Sequence, residues 1–159
     1  MTQVDRSVDI PVGDVILPGH LVMPPGTGGL VVFAHGAGSS RKSPRNNFVA
    51  EVIRQQGPGT LLLDLLTEEE DQTRQNRFDI PLLVDRLLGA TDWVVNQPEG
   101  RSSSIGYFGS STGAAGALLA APDRGKAIGA VVSRGGRVDL ASERLRDVRS
   151  PTLLIVGEN

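Results

Sequence analysis

With 159 residues, 16 Lys and Arg against 18 Asp and Glu, and a formal net charge of -2, the chain is long enough for one compact domain with a sizeable core and too short for two ordinary ones. That charge balance leaves no electrostatic footprint for nucleic acid or an anionic membrane, so the expected partner is a small molecule. The absence of Cys removes disulfides, Cys-ligated zinc and thiol catalysis, and two His are too few for a multi-histidine site, so neither a metal nor a cofactor is expected.

The N-terminal MTQVDRSVDIPVG carries charges where a secretory leader needs an apolar core, and no apolar run approaches the ~20 residues that span a bilayer. A soluble, cytoplasmic protein is the default expectation. Val4 to Val12 and Val15 to Met23 carry β-branched residues at mostly alternating positions around Gly13-Asp14, which predicts an antiparallel hairpin ending at PPGTGG. Leu30 to Ala34, wholly apolar, reads as a strand buried on both faces. Ser43-Pro44 starts a helix in which Phe48, Val49, Val52 and Ile53 recur at helical spacing until Gly57. Gly59 to Leu66 is a second buried strand, and the polar run Thr67 to Arg77 a solvated loop or short exposed helix.

Asp79 is placed to cap a further helix whose stripe Ile80, Leu83, Val84, Leu87, Leu88, Trp93, Val94 and Val95 runs up to Pro98, with Trp93 in the core. The strand IGYFG follows, then a helix from Thr112 to about Ala121, broken by Pro122. AIGAVVS reads as strand, DLASERLRD as helix and PTLLIVG as another buried strand. This alternation predicts a mostly parallel sheet with helices on both faces and an N-terminal antiparallel hairpin. Ligands in such sheets bind beyond the carboxyl ends of the strands, where HGAGSSRK, GSSTG and SRGGR converge.

Gly109-Ser110-Ser111-Thr112-Gly113 fits G-x-S-x-G, a motif that is weak by itself in a chain with 20 Gly. The strand before it, the helix after it and the small residues Ala114, Ala115 and Gly116 supply the context of a sharp turn that pushes a serine Oγ outward. Ser111 is therefore the candidate nucleophile. Such a serine needs two backbone N–H groups aimed at the developing oxyanion, and the candidates are Thr112, directly after it, and Ala37, in the loop His35 to Gly38.

With these elements in order, the chain resembles the α/β-hydrolases. AHGAGSSRKSPRN, FDIPLLVDRLLGATDWV and IGYFGSSTGAAGAL look like the dienelactone-hydrolase-like branch, and the likeness covers essentially all 159 residues. It implies hydrolysis of acyl esters or lactones, or acyl transfer by the same parts, through a Ser, Asp, His triad in that chain order. The acid would follow PTLLIVG and the His would lie further on, so the sequence reads as one hydrolase domain, 1–159, cut before its last strand and C-terminal helices. His35 is implied to be an oxyanion-loop residue, and His20 lies in the hairpin, so neither is expected as base. Asp139, after SRGGRV, is the one acid near the right edge and is expected to cap the following helix.

Arg41, Lys42 and Arg134 project from loops on the same edge and offer cations to the carboxylate that dienelactone-type substrates carry. Two readings compete with an active hydrolase. One is an inactive fragment; the other is an anion-binding module at HGAGSSRK and the Thr112 helix start, which lacks G-x-G-x-x-G and any GK[ST]. The strand Pro151 to Val156 is expected to form an uncovered apolar edge through which copies of the chain associate.

Overall fold

The computed structural model describes residues 2–158. Its hairpin is β1 (Val4–Val12) and β2 (Val15–Met23), paired antiparallel in the register that joins Val12 to Val15 across the two-residue turn at Gly13, which takes a positive φ of 56°. β3 (Gly29–Ala34), β4 (Gly59–Leu63), β5 (Ser104–Ser110), β6 (Ile128–Arg134) and β7 (Thr152–Ile155) complete a seven-stranded sheet of order β1-β2-β4-β3-β5-β6-β7. β3 to β7 run parallel, and β2 joins them antiparallel through β4. This is the α/β-hydrolase fold.

The alternation of side chains along the central strands makes two apolar layers. Leu30, Val32 and Ala34 face one way with Leu61, Leu63, Tyr107 and Val131, and there they meet α4 (Ile80–Val95) and α5 (Thr112–Arg124). Phe33, Leu62 and Phe108 face the other way, where Ala50, Val49 and Ile53 of α1 (Pro44–Gln55) cover them, and the Phe33 and Phe108 rings stack 5.0 Å apart. α1 and α4 both start as the sequence predicts: Ser43 accepts a hydrogen bond from the Asn46 N–H, and Asp79 from the Leu82 N–H.

Several boundaries differ from the sequence reading. β4 ends at Leu63 rather than Leu66, because the chain turns at Asp64 to meet the loop after β3. Phe48 and Val52 stay exposed, so the buried stripe of α1 is narrower than its apolar spacing. Trp93 is half-buried at the rim of the core rather than inside it. Pro122 lies inside α5, which runs two residues past it, and Gly125 then closes the helix by donating to Ala121 and Pro122. Val138–Asp147 is a 3-10 helix rather than an α-helix, with only Ala141 buried against its neighbours. β7 is exposed at all four positions and not buried.

The polar run Thr67 to Arg77 forms two short helices, α2 (Glu68–Asp71) and α3 (Arg74–Arg77). Thr67 and Glu70 make a reciprocal capping box. The Glu70 carboxylate also takes two hydrogen bonds from the Arg86 guanidinium, at 2.7 and 2.6 Å, which hold its pKa down at about 2 and staple the segment onto α4.

Candidate active site

The end of β5 and the start of α5 set the geometry of the Gly109–Gly113 turn. Ser111 adopts φ 53° and ψ -124°, and it is the only non-glycine residue with a positive φ among the described residues. An L-residue in that conformation costs ~1–3 kcal/mol, a strain that persists only where the surroundings over-determine it. Here the surroundings are a strand and a helix in direct contact. A Cβ on Gly113 would collide with the carbonyl oxygens of Ala34 and His35, so only glycine lets α5 begin against the end of β3. Ala114, Ala115, Ala117, Ala120 and Ala121 keep the same helix buried at close range.

The loop after β3 lies against this turn. A Cβ placed on Gly36 would sit 2.9 Å from the Ser111 Cβ and 3.6 Å from its Oγ, so backbone and hydroxyl are neighbours. The loop turns back on itself through Ser39 N–H donating to the Gly36 carbonyl at 3.1 Å, with Gly38 at φ +76°. Ala37, at the crest of this turn, lines the open cleft with Ser111, and it also borders a small space beside Thr112. Thr112 itself is buried, and its Oγ1 has no hydrogen-bond partner among the described residues.

On the other side of Ser111, the loop after β6 latches on through the Arg137 N–H, which donates to the Ser111 carbonyl at 3.0 Å. The three loops that the sequence directs to one sheet edge therefore do meet. The cleft between them has a volume of about 770 Å³ and is bounded by the first turn of α1, the turn at Ser111, Arg134 and the residues after β7.

His35 is held away from Ser111. Its Nε2 accepts from the Leu65 N–H at 2.9 Å, which leaves Nδ1 to donate to the Gly36 carbonyl at 2.8 Å. Both ring nitrogens are spent on clamping the loop, and burial lowers its pKa from 6.5. His20 lies on β2 with its Nε2 2.6 Å from Asp5, beyond β4 and β3 from the cleft.

Asp139 does not cap the 3-10 helix. Arg137 occupies the cap position, and Asp139 takes hydrogen bonds of 3.0 and 2.9 Å from its guanidinium, which hold the carboxylate below its usual range. The three cations also separate. Arg41 is spent on Asp64 through a 2.6 Å ion pair, and it borders a different cleft of about 340 Å³ with Lys42 and His35. Only Arg134 borders the Ser111 cleft, joined there by Arg45 and Asn46, which sequence reasoning missed because both look like surface positions in a helix's first turn.

A dienelactone hydrolase of Anabaena variabilis, solved by crystallography, superposes with a TM-score of 0.94 and is 54% identical over 99% of this chain and 74% of its own. The chain belongs to the dienelactone hydrolase family. A dienelactone hydrolase-like promiscuous phosphotriesterase from metagenomic libraries shares the fold at a TM-score of 0.73, with 21% identity over 99% of this chain and 70% of its own. Two Mycobacterium tuberculosis proteins, from strains CDC 1551 and H37Rv, are each 54% identical over 153 residues and carry names that provisionally make them phosphoribosyl transferases. Those matches take in 96% of this chain and 34% of theirs, so the chain spans about a third of the length of these curated relatives. No protein-family model matches the chain.

Proposed function

We propose that the chain carries the nucleophile and the oxyanion cradle of a serine hydrolase for acyl esters or lactones. The observation that carries this reading is the backbone of Ser111, strained at φ 53° on the turn into α5 with the Gly36 loop against its hydroxyl. In the reaction Ser111 Oγ attacks the acyl carbon as a base takes its proton, and the carbonyl π-electrons move to oxygen. The Ala37 and Thr112 N–H groups hold that oxyanion. Collapse expels the alcohol, which takes the proton back, and water then cleaves the acyl-serine by the same steps.

The cradle costs no reorganisation at the moment of reaction, because the Gly36–Ser39 turn and the His35 clamp set its shape in advance. Both histidines of the sequence are engaged elsewhere, so neither is placed to take the Ser111 proton. An acyl transferase would use the same parts with another acceptor.

Hydrolysis of a p-nitrophenyl ester by this chain, and by one extended by about 80 residues, tests the reading. The extended chain turns over, the shorter one is slower by a factor on the order of 10³ or more, and Ser111→Ala abolishes both activities. Undiminished turnover by Ser111→Ala contradicts the assignment.

A further inference from the structure

Among the described residues Arg134 pairs with no acid, in contrast to most of the hydrogen-bonded arginines of this protein. Arg41 pairs with Asp64, Arg77 with Asp71, Arg86 with Glu70, Arg124 with Asp92, Arg137 with Asp139 and Arg144 with Asp123. The Arg134 guanidinium instead lies over the Phe108 ring, 5.3 Å from its centroid, and Nη2 donates to the Asn46 Oδ1 at 2.7 Å. Its Nη1 is enclosed and has no hydrogen-bond partner among the described residues. Burial and a neighbouring cation, Arg45, both push its pKa down.

Both arginines line the Ser111 cleft, and no Asp or Glu of the described residues does. Asn46 is 3% exposed and neutral, so it fixes the direction of the fork without cancelling its charge. The first turn of α1 faces the same cleft with the Ser43 hydroxyl and carries no acidic residue. Two guanidiniums match the charge of a phosphate monoester, about -1.5 to -2 at neutral pH, where a carboxylate would leave one of them uncompensated.

We propose that Arg134, with Arg45, binds a phosphate group of the substrate, so that the ester reaching Ser111 is that of a phosphorylated compound. The identity of the ester rests on Ser111 being the nucleophile, whereas the phosphate site does not. The test therefore reads binding alone. The full chain carrying Ser111→Ala is titrated calorimetrically with phenyl phosphate, benzoate and benzamide, which share a ring and differ in charge.

Phenyl phosphate binds at least tenfold more tightly than benzoate or benzamide. Adding Arg134→Gln weakens it at least tenfold, Arg134→Lys restores part of that loss, and the preference shrinks as salt is raised. Arg45→Gln, at an exposed position where folding is not at risk, weakens phenyl phosphate severalfold and supplies the same reading if Arg134→Gln fails to fold. Equal affinities for phosphate and benzoate overturn the proposal, as does unchanged phosphate affinity in either glutamine variant with a native thermal melt. Absence of ester turnover in the extended chain, with this binding pattern intact in the 159-residue chain, would count against the hydrolase reading and leave the phosphate site standing.

Discussion

Ser111 combines two properties that oppose each other at the level of one residue. Its φ of 53° is strained, and its side chain makes no capping hydrogen bond to α5 that would compensate. Ser111→Gly therefore relieves ~1–3 kcal/mol of backbone strain against ~0.5–1 kcal/mol of extra unfolded-state entropy. A net gain of about 1 kcal/mol raises the melting temperature by roughly 2–4 °C for a chain of this size. A lower melting temperature in Ser111→Gly would mean that the turn is not strained. The position of this serine was legible from G-x-S-x-G because the small residues after it have no other packing rationale, whereas Arg45 and Asn46 were not. Which acid each arginine meets is set by three-dimensional neighbours far apart in sequence, so Arg41, Lys42 and Arg134 looked alike until Asp64 was seen to claim the first of them.

Elements are held in register around the site by side chains that the mechanism itself does not use. His35 ties the loop after β3 to the turn after β4, and its buried ring is kept neutral with a pKa below 6.5. The unfolded chain takes up a proton as pH falls through 6.5 while the folded chain does not, so this contribution to stability is complete above pH 6.5 and declines below it. Glu70, with its pKa at about 2, adds acid sensitivity only below its ordinary value of 4.5. Thermal melts between about pH 8 and about pH 5 should fall with acidification in the parent chain, and His35→Gln should flatten that profile while lowering the plateau by ~1–3 kcal/mol. A parallel profile in the variant would remove His35 as the cause.

The hairpin was readable to the residue because alternation and the Gly13-Asp14 turn agree, and Ser43 and Asp79 marked helix starts by their side-chain chemistry. What misled was periodicity without tertiary context. Phe48 and Val52 sit at core spacing on α1 but find nothing above them, and DLASERLRD has helical amphipathy yet winds as a 3-10 helix. The capping box on α2 was present in the sequence as Thr67 followed by Glu70, but its partner Arg86 lies 16 residues further on.

Across the whole molecule the sheet is unevenly covered. β7 exposes Leu153, Leu154 and Ile155 by 56%, 49% and 45%, so this side of the sheet offers apolar side chains together with a strand edge that is unpaired among the described residues. We expect the chain to self-associate through β7: its weight-average mass in sedimentation equilibrium should rise with concentration, and Leu153→Lys with Ile155→Lys should suppress that rise. A mass that stays monomeric, or association that survives the charged pair, contradicts this expectation. The same face borders the Ser111 cleft through Ile155 and Val156, so whatever covers it also shapes the site. The most direct measurement for Ser111 as nucleophile is peptide mass spectrometry after fluorophosphonate labelling of the chain extended as above. A single adduct on Ser111, formed far more slowly in the 159-residue chain, is the predicted result; an adduct on another residue, or none in the extended chain, would contradict it.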